Sequence, residues 1–160
     1  MAQTDRPVTL SVLDRLLDFE PGVSTEPPPS RPQSVADLRS AVRRDLEWLL
    51  NSRRIVLEPD HGLSEVRDSV YVLGLADITS FSLSDMKERA RLLRHIQTVI
   101  GQFETRLVNV RISQRDDAAQ TGSLRFRIEA ALVMDPAPER ISFETALDLA
   151  GGDYVVREES

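Results

Sequence analysis

The chain contains no cysteine. Disulfides, thiolate metal ligands and cysteine nucleophiles are therefore excluded. Its two histidines, His61 and His95, lie far apart without a companion at ligand spacing, so no metal centre is expected. Aromatic residues make up 5 % of the chain, with a single Trp. Arg125 and Arg127 alternate on a strand-like run, but that run puts no aromatics on their face of the kind that stack RNA bases on a sheet. No apolar run approaches the roughly 20 residues of a membrane-spanning helix. The opening MAQTDRPVTL has no apolar stretch of signal-peptide length before charges return, and a cytoplasmic location is expected. Gly151-Gly152 lacks the Lys-Ser/Thr of a phosphate loop. It reads as a turn, and no cofactor is expected.

What is present is enough for one compact domain with tails, 160 residues with a formal charge of −6. The charge is unevenly spread. Leu38 to Arg54 carries a balance of +3, from Arg39, Arg43, Arg44, Arg53 and Arg54 against Asp45 and Glu47, while Asp135 to Ser160 carries −5. Overall acidity argues against nucleic acid. A basic helix with an acidic end suits oriented protein contacts.

Thr9 to Asp18 has a short helical pattern, with Leu10, Leu13 and Leu17 on one face and Leu16 beside them. It is too short to be stable alone, so it docks on a partner or folds back on its own domain. Glu26-Pro27-Pro28-Pro29-Ser30-Arg31-Pro32 reads as an extended linker. Ser34 is expected to cap the next helix, with Asp37 completing an acidic capping box. That helix presents Leu38, Ala41, Val42, Leu46, Leu49 and Leu50 on one face and spans to Arg54 if fully helical, with Asn51 marking fraying or the C-cap and Arg53 and Arg54 suiting its C-terminal dipole. Trp48 sits off the centre of this face, as either the edge of the core or an interface anchor. Ser64 to Tyr71 reads as a short helix. Val72 to Ile78, broken by Gly74, reads as a buried loop.

Leu83 to Phe103 carries a long helical pattern capped by Ser84. Its face includes Met86, Ala90, Leu93, Gln97 and Ile100, widened by Leu92, Ile96, Val99 and Phe103. Strand patterns follow at Leu107–Ser113, Leu124–Met134, Ile141–Leu149 and Tyr154–Arg157. Helices first and antiparallel strands after imply an α+β fold, with N-terminal helices packed on a small, mainly antiparallel sheet. Glu104-Thr105-Arg106 lies where the period changes from 3.6 to 2, so this acid and base either lock the fold or meet a partner.

The segments VRRDLEWLLNSRR, YVLGLAD, FETRLVNVRI, LRFRIEAALVMDPAPERISFETALDL and the early leucine segment occur in one order. This ordered set resembles the TssE family, the small baseplate subunits of type VI secretion systems, within the baseplate wedge family of contractile phage tails. The resemblance covers Leu10 to Leu17 and Ser34 to Val156. It implies a domain similar to the strand-exchanging part of a contractile sheath subunit. It also implies wedge partners (TssF, TssG and TssK) and sheath partners (TssB and TssC), in a membrane-docked baseplate on the cytoplasmic side. On this reading residues 1–33 form a flexible arm with a docking helix and a Pro-rich linker, 34–157 the wedge domain, and 158–160 a tail. The family's Glu-Pro-Arg motif falls on Glu104 and Arg106, with Thr105 in place of proline. Leu10, Leu13, Leu16 and Leu17 of the arm, Arg43, Arg44, Trp48, Arg53 and Arg54 of the basic helix, and Glu104 with Arg106 are the candidate protein-interaction residues.

The family's lysozyme-like label raises a second reading, a peptidoglycan-cleaving hydrolase. Asp45 and Glu47, two apart on a helix, do not share a face. Glu104 beside Arg106 is poorly placed to stay protonated as a general acid.

Overall fold

The computed structural model describes residues 6–17, 21–22, 27–57, 59–60, 62–67, 69–77, 85–115 and 123–159. Its order is α1 (Val12–Leu16), α2 (Arg31–Asn51), α3 (Ser64–Arg67), a 3-10 turn (Val70–Val72), α4 (Met86–Phe103), β1 (Leu107–Gln114), β2 (Ser123–Leu132), β3 (Glu139–Asp148) and β4 (Tyr154–Glu158). The strands form one antiparallel meander in the order β1-β2-β3-β4, and α2 and α4 cover one face of it. This is the α+β layer that the pattern of elements implied. Expected features at Ser84 and His61 lie outside the described residues.

Strict alternation builds the sheet. Leu124, Phe126, Ile128, Ala130 and Leu132 of β2 and Ile141, Phe143, Thr145 and Leu147 of β3 all point into the core. β1 needs an extra device. Leu107 is buried, and Val110 and Ile112 also pack on the core, yet Leu107 differs from the other two in parity. The pairing shifts between Val108 and Arg111, where three steps on β1 match two on β2. Asn109 absorbs the extra residue at φ 56°. This is a bulge at a conformation that asparagine tolerates, and it turns both halves of β1 inward.

Several local boundaries differ from the sequence reading. α2 starts at Arg31 rather than beyond Ser34, with Pro32 in its first turn. The first turn makes no use of the N–H that proline lacks. The Ser34 hydroxyl is therefore inside the helix. It donates to the Arg31 carbonyl at 2.8 Å and accepts the Val8 N–H at 2.9 Å. α2 does stop at Asn51, the expected point of fraying or capping, so Arg53 and Arg54 lie beyond its last turn rather than in it. The chain instead enters a short parallel bridge, with Arg54 N–H to the Leu75 carbonyl and Leu75 N–H to the Ser52 carbonyl, both at 2.9 Å. Gly74 makes that approach possible. Its φ is +101°, and a Cβ there would sit 2.3 Å from the Ser52 carbonyl oxygen. Asp85 caps α4 by accepting the Lys87 N–H. The buried face of α4 centres on Leu92, Leu93, Ile96, Val99 and Ile100, and leaves Met86 73 % exposed. The expected helix at Ser64 to Tyr71 is two pieces, α3 and the 3-10 turn.

Candidate protein-interaction site

α4 ends where Glu104 caps it. The Glu104 N–H still bonds the Ile100 carbonyl at 2.9 Å, and the Leu107 N–H then bonds the Glu104 carbonyl at 3.1 Å. The tight turn brings Arg106 back onto Glu104. Arg106 Nε donates to Glu104 Oε1 at 2.7 Å, and its backbone N–H reaches the same oxygen at 3.2 Å. Nη2 donates to Glu104 Oε2 and, at 2.6 Å, to Asp45 Oδ2 on α2. The forked guanidinium satisfies a carboxylate that is only 6 % exposed. In return the hydrogen bond that Arg106 donates to Glu104, working against burial and reinforced by Asp45, holds the Arg106 pKa above the ordinary arginine value.

Arg44 is the second cation. Its Nε and Nη2 donate to Asp45 Oδ1 at 2.9 and 2.7 Å, and Nη2 also donates to Asp14 Oδ1 at 2.7 Å. Its guanidinium lies 4.9 Å from the Trp48 ring centroid, within cation–π reach. Asp14 belongs to α1, accepts the Ser11 hydroxyl at 2.6 Å and lies 4.0 Å from Arg106 Nη1. Burial pushes the Asp14 pKa up, but Ser11, Arg44 and Arg106 together outweigh it and hold it below the usual value. Three carboxylates and two guanidiniums, from α1, α2 and the α4–β1 junction, thus form one network. An open groove of about 480 Å³ runs beside it, lined by Leu13, Trp48, Leu49, Leu73 and Phe103 together with Thr105 and Arg106.

The structure brings Glu104, Arg106, Arg44 and Trp48 together, with Leu13 at the groove wall. Trp48 is 56 % exposed and no part of the core. Leu10 packs on the core, whereas Leu13, Leu16 and Leu17 leave α1 without a buried residue. Arg43, Arg53 and Arg54 lie elsewhere. Arg43 faces β4, Arg53 pairs with Asp77 at 3.4 Å across an exposed gap, and the charge of Arg54 acts on His95. Asp14 and Asp45 were missed as members of the site. Their partners, Arg44 for Asp14 and Arg106 for Asp45, stand 30 and 61 positions away, and no local pattern signals such pairs.

The two edges of the sheet are treated differently. On β4 the outward backbone groups of Tyr154 and Val156 are taken by one stripe of α2. Asn51 bonds both the N–H and the carbonyl of Tyr154, at 2.8 and 2.9 Å. Glu47 accepts the Val156 N–H at 3.1 Å, and Arg43 donates to the Val156 carbonyl at 3.4 Å. Residues 43, 47 and 51 recur every four positions, so one helix face lies along the edge. On β1, the Arg115 N–H bonds the Arg125 carbonyl. Alternation then turns the backbone N–H and carbonyl groups of Ile112 and Gln114 toward the open side of the edge. Among the described residues, the side-chain bond to a β1 backbone group runs from Gln97 to the Val110 carbonyl, at 3.0 Å.

Hydrolysis of a glycan needs a carboxylic acid held protonated near neutrality. Every carboxylate in this network is instead bonded to at least one guanidinium. Among the described residues no group of three or more His, Asp or Glu is placed to hold a metal ion. No helix among them is long and apolar enough to cross a membrane.

No curated protein and no solved structure matches the chain. The family described as baseplate wedge protein gp25 matches residues 36–137. That span takes in most of α2, all of the groove lining but Ser11 and Leu13, the charged junction and β1 and β2. The helices-then-meander fold and this match over most of its length agree, and the chain belongs to the baseplate wedge family of gp25 and TssE-like proteins.

Proposed function

We propose that this protein is a structural component of a type VI secretion baseplate. It links wedge subunits of the TssF, TssG and TssK assembly to the first ring of sheath subunits TssB and TssC, and it templates sheath assembly on the cytoplasmic side of the membrane. The observation that carries this reading is the asymmetry of the sheet. One edge is bonded at Tyr154 and Val156 by Asn51, Glu47 and Arg43 of α2, while on β1 the outward backbone groups of Ile112 and Gln114 meet no such stripe among the described residues. An open antiparallel edge is a template for an added strand, with backbone bonds supplying affinity and alternate side chains supplying register. The guest is a sheath strand on β1. The charged junction and its groove face the wedge subunits. No covalent chemistry is involved.

The test is a sheath pull-down with Gln114→Pro. The substitution removes an outward N–H while leaving the inward β1–β2 bonds in place. Sheath capture is expected to fall by about tenfold or more, since several backbone bonds are lost together, while circular dichroism stays unchanged. Asn51→Ala, at the sealed edge, should leave capture intact. Full capture by a folded Gln114→Pro protein overturns the β1 template. Release of labelled fragments from cell-wall glycan, abolished by Glu104→Gln, would replace the structural reading with a hydrolase.

A further inference from the structure

The seating of α1 is unusual for a core element. Val12, Leu13 and Leu16 are 65, 47 and 76 % exposed, so the helix's own apolar side chains contribute little to holding it, and the apolar anchors are Val8 and Leu10 just before it. The helix itself is held by polar contacts. Asp14 bonds Arg44 at 2.7 Å and faces Arg106, and the Val8 N–H bonds the Ser34 hydroxyl at 2.9 Å. Arg31 bonds the Arg6 carbonyl at 2.9 Å. The Asp14 side chain is nonetheless 6 % exposed, so its carboxylate is seated in a formed receptor while the helix that carries it stays on the surface.

The receptor does not depend on Asp14. Arg44 is held in place by Asp45 and by the Trp48 face, and Arg106 by Glu104 and Asp45. Without α1, two guanidiniums would stand beside an apolar groove with two carboxylates between them, each cation keeping one unmet direction. The geometry points to a binding site for a partner's short amphipathic helix that carries a carboxylate, with α1 as its built-in occupant. Asp14 fills the anion position and Leu13 forms part of the groove wall. A partner helix with an acid in register displaces α1, and the displaced arm gives up the packing of Val8 and Leu10 on the core. The anion position is thus filled in the free protein and opens only for a ligand that supplies the same chemistry. This rests on the wedge reading for the partner's identity, but not for the exchange itself.

The exchange is testable with the full chain and its own sequence as probe. A labelled peptide of residues 6–17 is titrated against the wild type and against Asp14→Asn, with fluorescence anisotropy as the readout. Asp14→Asn loosens the internal arm and leaves the receptor intact, so it should bind the peptide about tenfold more tightly than the wild type does. A peptide carrying the same Asp14→Asn change should lose that gain. In the wild type, excess peptide should accelerate hydrogen exchange at the Val8 amide, whose partner Ser34 lies on α2. This second readout holds even if the variant folds poorly. Equal peptide binding by both proteins, or a Val8 amide indifferent to peptide, overturns the proposal. Neither assay contains a sheath or wedge subunit, so these outcomes are separate from failure of the baseplate reading.

Discussion

Arg106→Met is the most informative perturbation of the junction. The wild-type side chain spans Glu104 and Asp45, with bonds of 2.7 and 2.6 Å. Methionine keeps much of the volume and removes the charge. It leaves Glu104, 6 % exposed, with the backbone N–H of residue 106 as its remaining partner at this turn. Breaking a buried pair from one side typically costs about 3–5 kcal/mol. The Arg106 side chain is 24 % exposed, so water recovers part of that, and about 2–4 kcal/mol is the expected loss. For a chain of this size that corresponds to a drop of about 5–12 °C in Tm. The double variant Glu104→Gln/Arg106→Met removes the stranded charge and should recover at least about 1 kcal/mol relative to the sum of the singles. Thermal melts of the three variants, followed by circular dichroism, measure the coupling. A single-variant shift below about 2 °C, with no recovery in the double, would refute the claim that the pair braces the fold. Capture of wedge subunits by the same proteins then reports whether the pair also serves an interface.

Gly74→Ala should destabilise the protein by on the order of 2–3 kcal/mol, because φ is +101° and the new Cβ meets the Ser52 carbonyl at 2.3 Å; a denaturant titration shows it as a lower midpoint. Thr145→Val should raise Tm, since the Thr145 hydroxyl is buried without a partner and a methyl of similar shape removes a penalty of about 1 kcal/mol. His95 is half-buried and its ring accepts the Ala76 N–H at 3.4 Å. Burial, then the charge of Arg54, hold its pKa below the ordinary 6.5. Its stabilising contribution is therefore complete above pH 6.5 and is lost as pH falls through the lower folded value. Melts across that range, compared with His95→Gln, should show a slope that the variant lacks.

Periodicity alone was enough for the frame. Alternation at Leu124, Phe126 and Ile128 and at Ile141, Phe143 and Leu147 specifies half-buried strands, because a strand shows successive side chains to opposite faces. The apolar stripe of Leu92, Leu93, Ile96, Val99 and Ile100 specifies a helix on that sheet for the same kind of reason. The pair Glu104 and Arg106 was also legible, since two residues across one turn are bound to be neighbours. Tertiary structure decided the rest. The bulge at Asn109 follows from the demand that Leu107 and Ile112 both reach one core. The start of α2 at Arg31 has a local signal in Pro32 of its first turn, but the partner of the Ser34 hydroxyl, Val8, is set by docking. The sealing of β4 by Asn51, Glu47 and Arg43, and the gathering of Asp14 and Asp45 around two arginines, join residues far apart in sequence. Such contacts arise only when packed elements bring unmet charges and backbone groups together, where leaving them unpaired costs more than the order imposed by pairing them.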